Sequence, residues 1–215
     1  MKKVLICILA VVLTLSMTVS VFAAGGFISS PSGRKGPELI AGAIVGCEGE
    51  LLLIPYAERD QLSDDACGQL EDAYGSIADN KDLSKVCGDL EKLAKQLGVN
   101  VKDLAVSDLF YLDYTGCTEH DGHDPFTATI KPETLNNFFA LMTMINGEWV
   151  VVEGAKVVDG NLVFTGSNYG PYAIVLNTSV SPETGDSFPW VYVVMMAVSV
   201  VGLASVLAAL KKKTI

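Results

Sequence analysis

The sequence predicts an α+β protein: an antiparallel β-sandwich-like domain with an inserted helical hairpin, plus an N-terminal signal peptide and a C-terminal transmembrane helix. Three observations predict it. Short apolar runs in the second half are punctuated by Asn146-Gly147 and Asp159-Gly160, the dipeptides of tight β-hairpins. Between residues 63 and 97 the apolar period lengthens to three or four, as on helices that bury one face. The remaining hydrophobicity is gathered at the two ends of the 215-residue chain instead of being spread through its body.

The first end opens with Met1-Lys2-Lys3, continues as an apolar run to Val19 and closes with Val21-Phe22-Ala23-Ala24, small residues at the positions a signal peptidase reads. Cleavage after Ala23 is expected, making residues 1–23 a signal peptide. Residues 24–37, rich in Gly, Ser and Pro and carrying Arg34-Lys35, read as a flexible lead-in. The β-rich domain is expected over residues 38–178. Its opening runs, Leu39 to Val45 and Leu51 to Ile54, flank Glu48-Gly49-Glu50 as two strands about a turn.

Ser63 is placed to cap a first helix with its stripe at Ala66, Cys67, Leu70, Ala73, Tyr74 and Ile77. After Asp79-Asn80 a second stripe runs through Leu83, Val86, Cys87, Leu90, Leu93, Ala94 and Leu97 to Gly98, a C-terminal glycine cap. Strands are then expected over Leu109 to Tyr114, Phe126 to Lys131, Phe138 to Ile145, Glu148 to Val158, Leu162 to Thr165 and Tyr172 to Leu176, forming an antiparallel meander.

The last apolar run extends from Trp190 to Leu210 without a charge and ends at Lys211-Lys212-Lys213. As a helix over residues 188–210 it spans about 30 Å, the thickness of a bilayer's hydrocarbon core. The lysines favour a cytoplasmic tail at 211–215, which leaves the body outside the membrane. Residues 179–187 link body to span and contain Ser181-Pro182-Glu183-Thr184-Gly185.

This order of signal peptide, SPETG motif, apolar span and terminal lysines resembles that of the cell-wall-anchored surface proteins of Gram-positive bacteria, whose sorting signal is L-P-x-T-G. Ser181 stands where the commonest signal has Leu. The resemblance implies recognition of Ser181, Pro182, Glu183, Thr184 and Gly185 by a sortase, cleavage between Thr184 and Gly185, and transfer of the Thr184 carbonyl to an amine of the peptidoglycan. The peptide's chemistry suits such a groove, because Pro182 holds Ser181 extended and Gly185 leaves the scissile carbonyl unobstructed. The expected location is the cell surface, with sortase, peptidoglycan, membrane and an unidentified surface ligand as partners. An uncleaved single-pass membrane protein is the alternative that the same span allows.

Between Ala24 and Thr184 lie ten of the fifteen Lys and Arg but twenty-four of the twenty-five Asp and Glu, a net charge of −14. Nucleic acid is excluded as a partner on that balance, since phosphate binding requires a basic footprint. Both histidines fall in one loop, with Cys117, His120, Asp121, His123 and Asp124 within eight residues. These residue types can ligate a metal, and a metal-binding protein or metal-dependent enzyme centred there is the alternative reading. No nucleophile-elbow or H-E-x-x-H motif accompanies them, and the expectation is a non-catalytic binding or structural domain without a cofactor. Removal of Cys7 with the signal leaves Cys47, Cys67, Cys87 and Cys117 as candidates for disulfides, with three possible pairings. A Cys67–Cys87 bridge is strained in a simple helical hairpin. Lys131 and Asn177, beside Glu133, are candidates for an internal isopeptide bond.

Overall fold

The computed structural model of the chain describes residues 25–116 and 125–179. Nine strands and two α-helices appear among them: β1 (Glu38–Ile44), β2 (Glu50–Pro55), α1 (Asp64–Ala78), α2 (Gly88–Leu97), β3 (Leu104–Thr115), β4 (Phe126–Lys131), β5 (Phe138–Ile145), β6 (Glu148–Val151), β7 (Lys156–Val158), β8 (Asn161–Gly166) and β9 (Gly170–Asn177). The strands form two sheets, of order β1-β4-β8-β7 and β2-β3-β9-β5-β6. All pairs within them are antiparallel.

The five-stranded sheet is buried on both faces. One face carries Leu109, Tyr111, Met142, Ala173 and Val175, which join Leu70, Ile77 and Leu90 of the helices in one apolar cluster. The other carries Phe110, Leu112, Leu141, Tyr172 and Ile174, which join Phe126, Ile130, Leu162 and Phe164 of the four-stranded sheet in a second. The fold is therefore a β-rich sandwich with a helical layer against its larger sheet. Burial on both faces explains why β9 is apolar without alternation.

Local signals act as the sequence predicts. The Ser63 Oγ accepts a hydrogen bond from Ala66 N at 3.3 Å, capping α1. Gly98, with φ of 68°, closes α2 in the left-handed region. Asn146-Gly147 and Asp159-Gly160 all have positive φ, and the registers Ile145↔Glu148 and Val158↔Asn161 make both turns two-residue hairpins.

Four expectations need correction. The strands are not a meander: β9 lies between β3 and β5, and β4 between β1 and β8. Although consecutive in the chain, β1 and β2 belong to different sheets, and the expected strand at Glu148 to Val158 divides into β6 and β7, also in different sheets. The second helical stripe begins with a 3-10 turn, Leu83–Lys85, capped by Asp82, and α2 starts only at Gly88.

The fourth correction concerns the lead-in, whose described residues are packed. Phe27 is 3% exposed and forms a parallel bridge with Val106. Ile28 N donates to Val106 O at 2.9 Å, Val106 N to Gly26 O at 2.7 Å, and Gly26 N to Ile77 O at 3.0 Å. The two glycines make this approach possible. A Cβ on Gly25, whose φ is +52°, would lie 1.9 Å from Ala78 O, and one on Gly26 would lie 2.6 Å from Leu83 Cδ2. Composition marked this segment as a linker, but one aromatic side chain and two glycines dock it.

Candidate functional site

A cavity of about 590 Å³ opens between α1, the β5–β6 turn and the connection from β8 to β9. That size falls within the range of small-molecule sites. From α1 come Gln69, Asp72 and Ser76, at the i, i+3, i+7 spacing that puts them on one helical face. Met144 comes from the end of β5, Asn146 and Gly147 from the turn after it, Asn168 and Tyr169 from the connection, and Pro171 from the start of β9.

Its polar groups are fixed from behind. Trp149 Nε1 donates to Ser76 Oγ at 2.8 Å, and that hydroxyl donates to Ala73 O at 2.8 Å. Tyr111 OH donates to Gln69 Oε1 at 3.2 Å. Asn168 Nδ2 donates to Thr143 Oγ1 at 2.8 Å and Met144 O at 3.1 Å, which occupies both its amide hydrogens. Tyr172 OH donates to Asn168 O at 2.6 Å. Burial pushes the Tyr172 phenol up to about 12, so it remains a donor at any physiological pH. Apolar wall is supplied by Met144, Pro171 and the Tyr169 ring, which itself packs on Tyr114 and Phe126 with centroids 4.6 Å and 5.1 Å apart.

A second polar cluster lies at the bulge of β3, where the register shifts between Val106 and Asp108. The Asp108 side chain is held by Ser107 Oγ, which donates to its Oδ2 at 2.7 Å, and the residue is 2% exposed. Arg34, from the docked lead-in, donates to Ser107 O at 2.9 Å and to Glu133 Oε2 at 2.7 Å. Burial pushes the Asp108 carboxyl up, the Ser107 hydrogen bond and Arg34 charge opposing this and Glu133 adding to it.

This shift has a definite sign. Between the unfolded value, about 3.9, and the raised folded one, the native state binds more protons than the unfolded state. The contribution of Asp108 to stability therefore falls as pH rises through that window. Asp108→Asn should stabilise the protein at neutral pH relative to pH 4, measured as the gap between variant and wild-type urea midpoints at each pH. A gap that does not widen with pH would overturn the linkage.

Of the residues the sequence singles out, Cys117, His120, Asp121, His123 and Asp124 lie outside the described residues, as do Ser181 to Gly185 and the apolar segment after them. Cys47 is disulfide-bonded, whereas Cys67 and Cys87 carry free thiols and take no part in a bridge. Burial raises the Cys87 thiol above its ordinary pKa, as suits a thiol serving as a small apolar group. Lys131 and Asn177 stand in different sheets, paired with Glu38 and Leu104 respectively, and Asn177 Oδ1 accepts from Ser179 N at 3.0 Å. The isopeptide candidates thus stand on separate ladders of the sandwich. Among the described residues no group of three or more His, Cys, Asp or Glu could hold a metal ion, and no helix is long and apolar enough to cross a membrane.

The cavity residues were missed in the sequence. Asp72 and Gln69 look like the ordinary polar face of α1, and nothing in the spacing of Asn168 announces its return to the end of β5. Comparison with protein families, with curated proteins and with solved structures yields no match.

Proposed function

We propose that the chain is an exported surface protein, joined to peptidoglycan by a sortase acting at Ser181-Pro182-Glu183-Thr184-Gly185, which presents a non-catalytic, β-rich binding body outside the cell. The observation that carries this reading is the order of features along the chain. The last strand closes at Asn177, the motif begins at Ser181, and the uncharged run from Trp190 to Leu210 and Lys211-Lys212-Lys213 follow. A sorting signal of this kind follows the folded body and precedes a membrane span in the chain, which is the order of this sequence.

Two further properties fit export. Cys47 is disulfide-bonded, which suits an oxidising compartment outside the cytoplasm. The acidic body remains soluble beside an anionic envelope through self-repulsion.

The reading is tested by fractionation. Wild-type protein should leave cells on treatment with a peptidoglycan hydrolase and resist detergent, whereas Thr184→Ala should move nearly all of it to the detergent-soluble membrane fraction. Release of the wild-type chain by detergent alone, with the span attached, would overturn sortase processing and leave a single-pass membrane protein.

A further inference from the structure

We propose that the cavity between α1 and the β5–β6 turn is a binding site for an uncharged saccharide, its polar contacts made by Gln69, Asp72 and Asn168. The inference deepens the reading of the body as a binding domain and does not depend on how the chain is anchored.

Hydrogen-bond accounting identifies the ligand class. Because Gln69 Oε1 already accepts from Tyr111, its NH2 group remains to donate to a ligand. Because both hydrogens of Asn168 Nδ2 are committed to Thr143 and Met144, its Oδ1 remains to accept. Met144 O, which can only accept, sets which end of the Asn168 amide faces it. Asp72, on the same face of α1 as Gln69, makes no bond among the described residues and supplies a second acceptor, this one charged. These three side chains thus offer a donor and two acceptors, beside the polar Ser76 and Asn146 and with the side chains of Met144 and Pro171 as apolar wall.

A sugar matches this set. Each hydroxyl both donates and accepts, so one ring can satisfy Gln69 and the acceptors together, while its C–H faces lie against the apolar wall. Anions do not match: none of the residues lining the cavity is cationic, and the body carries strong negative charge. An ammonium group would satisfy Asp72 and Asn168 but makes no use of the Gln69 donor, whereas the hydroxyls of one ring engage all three. The volume of about 590 Å³ accommodates a short oligosaccharide in place of a single small ion.

Isothermal titration of the full chain, held in a detergent without a sugar headgroup, tests the assignment. The probes are the trimer of N-acetylglucosamine, the β-1,4 trimer of glucose and trilysine. At least one trisaccharide should bind, and which one does so distinguishes an acetylated amino-sugar chain from a plain glucan. Asp72→Ala should weaken that binding by about tenfold or more, the loss of one hydrogen bond to a charged group. Its unfolding midpoint should not change, since Asp72 supports nothing else in the fold. Gln69→Glu keeps an acceptor for Tyr111 and replaces the donor with a carboxylate, so it should also weaken the saccharide. It would tighten an ammonium ligand instead.

Failure of both trisaccharides to bind, or binding that survives Asp72→Ala, would overturn the proposal. Binding of trilysine alone, strengthened by Gln69→Glu, would replace the sugar with a cationic peptide. None of these results bears on where the chain fractionates, so this proposal and the anchoring one fail separately.

Discussion

Phe27→Ala is expected to destabilise the body by about 3–5 kcal/mol, the cost of emptying a buried aromatic site. Phe27 is 3% exposed, and its ring stacks on Tyr74 at 5.3 Å, which stacks in turn on Tyr56 at 4.7 Å. Loss of the ring removes dispersion contacts along this column and weakens the bridge to Val106 that the side chain helps to seat. Urea unfolding measures the effect. The internal control is Ile28→Ala one residue on, where the side chain is 42% exposed and the loss should be much smaller. Similar midpoints for both variants and wild type would mean that the lead-in does not contribute to the core in solution.

Leu90→Ala is expected to cost about 2–5 kcal/mol. Leu90 is fully buried in the cluster between the helices and the five-stranded sheet, with Ile77, Leu83 and Trp149 in the same cluster. The spread depends on how far its neighbours collapse into the space. Leu97, which follows the same sequence stripe, is 60% exposed, so Leu97→Ala should remain within about 0.5 kcal/mol of wild type. Equal and small changes at both positions would place the face of α2 in solvent, making the helical pair a projecting element instead of a layer of the core.

The contrast between these two leucines marks what periodicity can and cannot convey. The three/four spacing places Leu90 and Leu97 on one stripe, yet the stripe extends past the end of the surface that it covers. Local chemistry was more legible. The Ser63 cap, the Gly98 terminus and the two hairpin turns each follow from one or two residues whose backbone or side-chain requirements are met nowhere else nearby. Sheet order was not legible, because alternation tells which face a residue occupies and not which strand lies beside it. The unbroken apolar run of β9 did hold a clue to a strand covered on both sides.

Two errors share a physical cause. Averaged over its length, the lead-in resembles a linker, and averaging conceals the single side chain that docks it. The cavity is hidden for the complementary reason: its residues come from three distant stretches, each an ordinary polar surface until the sheet order brings them together. Asn168 shows this most plainly, since its role depends on β9 lying beside β5.

The position of β9 also determines how the body responds to tension. This strand ends the described chain but for Thr178 and Ser179, and it lies inside its sheet, bonded to β3 on one side and β5 on the other. Consider a load carried through the residues that follow Asn177 and directed along the axis of β9. Antiparallel bonds lie across that axis, so such a pull strains both ladders in shear, loading their bonds together instead of opening them in turn like a zipper. Load applied at an edge strand and across the sheet would peel it away bond by bond. A chain held by its C-terminal side is thus gripped at a strand from which mechanical extraction requires simultaneous rupture on two flanks.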